Sequence, residues 1–214
     1  MATTAALICD KAAVLLNDAA KSIWTNDILL PHIIDAFDEL VQRLQAVGAQ
    51  TVREESSVIS VAAAATTVTC PTDMIEPLTL SERTYGTTDT FAPMMEVDWI
   101  PELTPTTMLR YWQNREQGIN VLACTERKEV KIQYLKGLTL PTISSSVIDI
   151  NNSTRFLQYR TAAIAAGFRG ENLERAKYLN AIADDALGNL ERAAIRAQQG
   201  MPARRIPYKS NRGL

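Results

Sequence analysis

The side chains that most often carry out catalysis are sparse in this sequence. The only histidine, His32, stands three residues before Asp35, so on a helix the imidazole and the carboxylate lie one turn apart. An aspartate that orients a histidine is one part of a hydrolytic triad, but no activated Ser or Cys motif accompanies this pair. We interpret His32 as a partly exposed residue at the start of a helix, and a small enzyme built around it is the less favoured hypothesis. The sequence therefore predicts a protein that is not an enzyme.

The cysteines do not have the spacing of a metal site. Cys9, Cys70 and Cys124 are far apart, no CxxC pair exists, and no cysteine lies near His32 in the sequence. Zinc sites usually show such pairs, because four ligands must converge on one ion. We predict three buried or half-buried thiols in a reducing compartment, with no metal and no cofactor.

Neither the paired carboxylates nor one glycine-containing segment indicates a catalytic or phosphate-binding site. The acidic pairs at 54–55 and 184–185 are typical of solvated charges. Segment 167–172, GFRGEN, lacks the lysine and the preceding strand of a phosphate-binding loop. It is typical of a corner between two helices, with Gly167 as the C′ residue of the first helix and Gly170 at the start of the second.

The end of the chain differs in charge from the rest. From Arg192 onward there are six basic residues and no acidic one. The whole chain has a net charge of −2, so residues 1–191 carry −8. Pro202 and Pro207 favour an extended conformation for the residues around them. An acidic body with a basic, proline-containing arm indicates that the arm contacts something outside its own domain.

Three interpretations of the arm are open: a solvated end, a nucleic-acid-binding arm, and a segment that docks on another protein. Protein docking is favoured, because binding to phosphates alone does not require the apolar Ile206 and Tyr208. A nucleic-acid-binding module that uses the arm is the alternative function. The candidate docking residues are Arg204, Arg205, Ile206, Pro207, Tyr208, Lys209 and Arg212.

The helical segments are predicted from apolar residues that recur every three or four positions. Residues 5–23 and 26–47 show this pattern near the start of the chain, and residues 154–168 and 171–199 show it near the end. Thr25, Asn26 or Asp27 is the expected cap of the second helix, with Pro31 in its first turn and Gly48 as its C′ residue. In the last helix, the predicted buried stripe is Leu173, Ala176, Leu179, Ile182, Ala183, Ala186, Leu187, Leu190 and Ala194. The acidic side chains of the second helix, Asp35, Asp38 and Glu39, are expected to be solvated.

The middle of the chain has the pattern of short strands. Residues 56–70 alternate small, β-branched and polar side chains, and the prolines that bound residues 71–77 predict a loop there. Residues 78–86 and a meander of about four strands from residue 94 to 138 follow, with turns near 117–118 and 126–127. The expected aromatic anchors of the sheet are Trp99, Tyr111, Trp112 and Tyr134.

These elements predict an α+β, mainly α fold. We expect residues 1–50 and 154–200 to form one helical bundle domain, since neither end closes a core alone. Residues 51–153 would form an inserted β-rich module, and residues 201–214 an extended basic arm. No signal peptide or membrane-spanning segment is predicted, so we expect a soluble protein that is made in the cytoplasm.

Three stretches of the sequence resemble the head-to-tail adaptor (connector) proteins of tailed bacteriophages. The stretches are WTNDILLPHIIDAFDELVQRLQAVG, PTDMIEPLTLSER, and YRTAAIAAGFRGENLERAKYLNAIADDALGNLERAA with the basic tail ARRIPYKSNRG. Together they span nearly the whole chain. The inserted β-rich part is long compared with that of a minimal adaptor.

The resemblance implies a structural protein of the virion at the head–tail junction, made in the host cytoplasm. It implies a homo-oligomeric ring, commonly of twelve subunits, beneath the portal protein of the DNA-filled capsid. In such adaptors the C-terminal arm clasps the portal, and the β-rich part faces tail nozzle or fibre proteins. DNA passes through the ring without being recognised by sequence, and no membrane is involved.

Overall fold

In a computed structural model, residues 3–115, 118–169 and 173–198 are described. Four α-helices come from the two ends of this part of the chain. They are α1 (Ala5–Leu15), α2 (Asn26–Ala46), α3 (Thr154–Arg169) and α4 (Leu173–Gln198). A single 3-10 turn at Gln50–Val52 leads from α2 into the strands.

The strands between the helices are mostly short. They are β1 (Thr3–Thr4), β2 (Arg53–Glu55), β3 (Ile59–Val61), β4 (Thr67–Val68), β5 (Met74–Thr84), β6 (Ala92–Pro93), β7 (Met95–Glu96), β8 (Tyr111–Arg115), β9 (Gly118–Val121), β10 (Lys128–Lys136) and β11 (Val147–Ile148). One sheet has the order β2-β10-β5-β6, with β3 also paired to β10, and a second has the order β4-β9-β8-β7. A third, two-stranded sheet joins β1 to β11, so it ties the start of the chain to the segment before α3.

The second helix follows its sequence signals closely, except at its proline. Gly48 has a φ of +61°, and its N–H donates to the Gln45 carbonyl while the Ala49 N–H donates to the Leu44 carbonyl. These two bonds form a Schellman motif, which confirms Gly48 as the C′ residue. Pro31 lies inside the helix and not in its first turn, so that prediction is wrong. Complete burial of the flanking Leu29 and Ile33 side chains stabilises the helix despite the N–H that proline lacks.

The first helix is shorter than its apolar pattern predicts, because a buried carboxylate organises residues 16–25. The helix ends at Leu15 and not at residue 23. Asp18 accepts hydrogen bonds from the backbone N–H groups of Ser22, Ile23 and Trp24 at 2.9, 2.7 and 2.7 Å. Side-chain bonds of this kind compete with helix formation, and here they replace the helix with a compact loop.

The four helices share one hydrophobic core. Its fully buried members include Ile8, Ala12, Leu29, Ile33, Leu40, Phe156, Leu157, Ala165 and Ala183. Four residues of the predicted stripe of α4, Leu179, Ala183, Ala186 and Leu187, are buried in this core, whereas Leu173 is exposed. Glu39 is not simply solvated, since it accepts a 2.7 Å hydrogen bond from Arg160 of α3, which also donates to Asn180 of α4 at 2.9 Å. This cluster joins three helices at the edge of the core.

A second hydrophobic core lies among the strands. It surrounds Trp112, which is 1% exposed, and includes Val68, Leu80, Leu109, Ile119, Val121, Val130, Ile132 and Tyr134. Trp112 and Tyr134 are therefore two of the four predicted anchors, whereas Tyr111 is only half-buried. Trp99 is 68% exposed and is not an anchor, because it lies in the connection between β7 and β8 and outside every strand.

The predicted loop at residues 71–77 is partly wrong, because β5 begins at Met74. Pro77 lies opposite Tyr134 of β10, beside a shift in register between Gln133 and Tyr134. Proline is tolerated in a sheet at such an irregularity, where its missing N–H does not interrupt the hydrogen-bond ladder. The pairing of β5 with β10 is the longest strand pairing among the described residues.

The fold is mixed α+β, as predicted. Helices account for 39% and strands for 25% of the described residues, so neither the description as mainly α nor that of a helical bundle is confirmed. The boundaries at residues 50, 153 and 200 stay a prediction. No helix within the described ranges has the length and apolar character needed to cross a membrane.

Candidate functional site

His32 lies against an aromatic ring near the start of α2. Its ring centroid is 5.7 Å from that of Phe168 on α3, with the two planes tilted by 53°. Burial lowers the pKa of His32, and the nearby Asp35 acts in the opposite direction. The described geometry therefore gives His32 a packing role at a helix–helix contact.

One cleft gathers polar side chains but not the candidate catalytic ones. Its volume is about 630 Å³, and Asp149, Asn151, Asn152 and Arg155 are among the residues that line it, whereas His32 is not. Across residues 3–115, 118–169 and 173–198, no three His, Cys, Asp or Glu side chains are grouped to hold a metal ion.

The three cysteines are free thiols and occupy the predicted positions. Cys9 and Cys124 are buried and Cys70 is half-buried. Burial raises the pKa of both Cys9 and Cys124, which disfavours the reactive thiolate. Cys9 lies in the helical core and Cys124 in the strand core, so both act as small apolar side chains.

In the segment GFRGEN, the predicted role of Gly167 is wrong. Gly167 lies within α3, which continues to Arg169, so Gly167 is not a C′ residue. A helical glycine costs roughly 1 kcal/mol relative to alanine, which the packing of α3 must offset. Gly170 lies outside the described residues. The exposed ring of Phe168 is the notable feature of this helix end.

All of the predicted docking residues, Arg204, Arg205, Ile206, Pro207, Tyr208, Lys209 and Arg212, lie outside the described residues. The part of α4 that precedes them ends with exposed Arg192 and Arg196. Arg192 donates to the Gly188 carbonyl at 3.0 Å and to Asn189 at 3.1 Å. Cations at the C-terminal end of a helix interact favourably with its dipole.

The outer face of the β5–β10 sheet is covered by matched charges. Arg83 contacts Glu129 at 2.6 Å, Lys136 contacts Glu54 at 2.8 Å, and Lys131 pairs with Glu55. Arg83 lowers the pKa of Glu129, and Lys131 lowers that of Glu55. These pairs join β2, β5 and β10, and they leave the face electrically balanced.

The connection between β7 and β8, residues 97–110, has a very different surface. The two strands are parallel, and such strands are usually joined by a helix, but here the connection is irregular. Four large apolar side chains on or beside it are more than half exposed, and three exposed carboxylates lie between them. We call this set the crossover surface: Met95, Glu96, Asp98, Trp99, Glu102, Leu103 and Met108.

Comparison with known protein families gives one decisive match. The model of the SU10 adaptor protein family matches residues 3–206, nearly the entire chain. The chain belongs to this family of phage head–tail adaptors. No curated protein matches the chain significantly.

Membership of this family makes the protein a structural component of the phage particle that interacts with head or tail components. The match includes Arg204, Arg205 and Ile206 and ends before the rest of the predicted docking residues. The alternative of a nucleic-acid-binding module has no support from the family match.

The crossover surface is not among the sites predicted from the sequence. Two signals point to it: residues 84–109 contain four acidic residues and no Lys or Arg, and prolines at 93, 101 and 105 oppose regular structure. The pattern places Trp99 on a sheet face because aromatic residues favour strands. Only the three-dimensional arrangement reveals that its ring is exposed.

Proposed function

We propose that this protein forms a ring of twelve copies that joins the portal of a phage capsid to the tail and surrounds the DNA channel. The observation that carries the proposal is the match to the adaptor family over residues 3–206. The ring is a homo-oligomer whose other partners are the portal protein and tail nozzle or fibre proteins.

Closure of a ring requires two different faces of one subunit to meet. The exposed sides of α2 and α4 are suited to this contact. Ile28 on α2 and Leu173, Tyr178 and Ile195 on α4 are large apolar side chains that solvent reaches in the single chain. Contact between such faces in neighbouring copies would remove this apolar area from water.

The charge distribution suits a wall around DNA. Residues 1–191 carry a net charge of −8, and like charge weakens adhesion of the duplex to the wall. DNA then passes through the ring without sequence-specific contacts.

The basic arm, residues 201–214, docks on the portal protein in this proposal. Arginine and lysine side chains supply charge complementarity, and Ile206 and Tyr208 supply apolar anchors. The strand region then faces the tail components.

Sedimentation velocity of the full chain, alone and with the portal protein of the same phage, tests the proposal. We expect a ring-sized species that binds the portal, and cryo-electron microscopy of that complex gives the copy number. Only monomers in both samples would contradict ring formation.

Substitution of Arg204, Arg205, Lys209 and Arg212 by Ala tests the arm separately. We expect portal binding to weaken while the ring persists, and Arg196→Ala on the exposed end of α4 is the matched control. Unchanged portal binding by the arm variant would remove the arm from the proposal and leave the ring intact.

A further inference from the structure

The crossover surface carries negative charge that no described cation matches. Glu96, Asp98 and Glu102 are exposed, and none of them forms an ion pair with a residue that the structure describes. Arg110 at the end of the connection is also exposed, but it pairs with none of these three carboxylates. On the outer face of the β5–β10 sheet, by contrast, all three glutamates of β2 and β10 have cationic partners. The same chain therefore matches charges on one surface and leaves carboxylates unmatched on the other.

The same surface exposes large apolar side chains. Met95 is 63% exposed, Trp99 68%, Leu103 52% and Met108 51%. Tryptophan and methionine are enriched in the buried centres of protein interfaces, and a long irregular connection in a compact fold is usually functional. An exposed apolar patch with polar groups around it indicates a binding surface for another protein.

Hydrogen bonds fix both ends of the connection that carries this surface. At one end, the side chain of Gln113 on β8 donates to the Asp98 carbonyl. At the other end, the Thr125 N–H, which follows β9, donates to the Thr106 carbonyl at 2.9 Å. Only residues 99–105 lie between these two points, so the exposed segment is short and held on both sides.

A tight turn shapes the segment between these ends. The Leu103 N–H donates to the Pro101 carbonyl at 2.9 Å, and a bond between residues two apart is typical of a γ-turn, here centred on Glu102. The rings of Pro101 and Pro105 fix their φ angles, which removes further conformational freedom. A partner therefore meets side chains on an ordered backbone, which reduces the entropy that binding must offset.

The chemistry of the crossover surface selects its partner. Exposed carboxylates repel the phosphates of DNA, so the surface does not suit a nucleic acid. Large apolar side chains beside carboxylates suit an apolar pocket rimmed by Lys and Arg, because the rim pairs with the acids while the pocket removes the apolar area from water. Such a rim meets no like charge along residues 84–109, which contain no Lys or Arg.

The position of the crossover surface favours a tail component as this partner. The apolar side chains suited to the ring contact lie on α2 and α4, whereas the crossover surface is attached to the strand core. Adaptors of this family interact with head or tail components. The proposed function gives the head side to the basic arm, so the crossover surface remains for the tail side.

We propose that the crossover surface is the docking site for a tail protein that has an apolar pocket rimmed by Lys and Arg side chains. Trp99 and Leu103 enter the pocket, and Asp98 and Glu102 pair with the basic rim. This contact rests on the proposed function, which places the strand region against the tail, and it leaves the arm available to the portal.

Binding of the purified tail nozzle and fibre proteins of the same phage to the full chain, measured by biolayer interferometry, tests the docking site. We expect the natural chain to bind one of the two. Trp99→Ala with Leu103→Ala should weaken that binding at least about tenfold, because an interface tryptophan carries much of the binding energy. Ile75→Ala with Ile143→Ala is the matched control, since these side chains are 57% and 59% exposed outside the crossover surface. Its effect should stay within about twofold.

Asp98→Asn with Glu102→Gln tests the basic rim. We expect this variant to bind the tail protein about threefold more weakly than the natural chain at low salt and equally well at high salt, because salt screens exposed charges. Glu76→Gln with Asp149→Asn removes the same two charges from other exposed positions and should bind like the natural chain at both salt concentrations. Equal binding by the Asp98→Asn, Glu102→Gln variant at low salt would contradict the basic rim.

The fluorescence of Trp99 distinguishes the tail protein from other occupants of the surface. Trp24 and Trp112 are buried, and the difference between the natural chain and Trp99→Phe reports Trp99 alone. We expect its emission to shift to shorter wavelength when the tail protein is added, and not to depend on the concentration of the chain without it. A shift with concentration alone would place a second copy on the surface. A shift to longer wavelength in the full chain with Arg204→Glu, Arg205→Glu and Lys209→Glu would place its own arm there, and either result overturns the docking site.

The docking site and the ring are tested separately. Equal binding of the tail protein by the natural chain and by the Trp99→Ala, Leu103→Ala variant overturns the docking site alone, once circular dichroism verifies that the variant folds. Absence of binding to both tail proteins by the natural chain overturns the docking site together with the tail contact of the proposed function. Sedimentation velocity measures ring formation and portal binding, which these substitutions should leave unchanged.

Discussion

The two hydrophobic cores differ in how their buried polar groups are held. In the strand core, Glu82 accepts a hydrogen bond from the Leu109 N–H, and the Nζ of buried Lys128 lies 3.3 Å from the Thr84 hydroxyl and 3.7 Å from Glu126. In the helical core, the hydroxyl of Thr161 is buried and has no hydrogen-bond partner among the described residues. The other buried polar groups beside the helical core, Asp18 and Ser153, bond to residues at most six positions away. The strand core instead uses polar contacts between residues far apart in sequence to fix irregular segments.

The strongest test compares two tryptophans, Trp99 within the connection between β7 and β8 and Trp112 just after it. Trp112→Ala removes the largest fully buried side chain of the strand core, and we expect the free energy of unfolding to fall by about 3–5 kcal/mol. Trp99→Ala is the matched control, because an exposed ring contributes little, and its effect should stay within about 0.5 kcal/mol. Urea denaturation measures both. Equal effects would mean that Trp99 is buried in the isolated chain.

The loop after α1 provides a pH-dependent test. The N–H groups of Trp24 and Ile23, followed by Ser22, hold the pKa of Asp18 well below its ordinary value, whereas the unfolded chain has an ordinary pKa of about 3.9. The folded state then binds this proton less readily than the unfolded state. The stability that the carboxylate contributes is fully present above pH about 5 and is lost as the pH falls toward the folded pKa.

We therefore expect Asp18→Asn to destabilise the protein at pH 7 and to have a smaller effect at pH 3, measured by urea denaturation at both values. Asp184→Asn, on the exposed face of α4, should show no such dependence. A constant difference between Asp18→Asn and the natural chain at all pH values would show that ionisation of Asp18 is not coupled to folding.

The next largest loss of stability is expected when the hydrogen bond between Glu82 and the Leu109 N–H is removed. Glu82→Ala leaves the buried Leu109 N–H without its acceptor, and an unsatisfied buried donor costs about 1–3 kcal/mol. Because that bond holds one end of the connection between β7 and β8, cleavage within residues 97–110 by a protease should accelerate as well. Glu76→Ala on β5 is exposed and serves as the control. Loss of stability without faster cleavage there would argue that Glu82 does not fix the connection.

The sequence predicts the helical half well, because one physical signal dominates it. Apolar residues of α2, α3 and α4 recur with the helical period and become the core, and Gly48 ends α2 as its type indicates. The prediction fails where a polar side chain overrides the period. Asp18 ends the first helix early, and no apolar pattern contains that information.

The strand half was predicted only in outline, because its contacts join residues that are far apart in sequence. The pairing of β5 with β10 at Pro77, and the bond between Glu82 and Leu109, depend on register and on a connection without periodicity. The candidate binding regions differ in the same way in how far the sequence predicts them. Composition identifies the arm, whereas the crossover surface becomes visible only when the exposed fraction of Trp99 is known.

The smallest expected effect is a gain in stability, whereas the substitutions above lower it. Thr161→Val replaces the buried, unpartnered hydroxyl of α3 by a methyl group of the same shape, and we expect a gain of about 1 kcal/mol in the free energy of unfolding. Both side chains are β-branched, so helix propensity changes little. Thr154→Val is a control for a hydroxyl that has a partner, since Thr154 lies 3.0 Å from the hydroxyl of Thr3, and it should not stabilise. If Thr161→Val destabilises the protein, then the helical core also relies on a polar contact, and the contrast between the two cores fails.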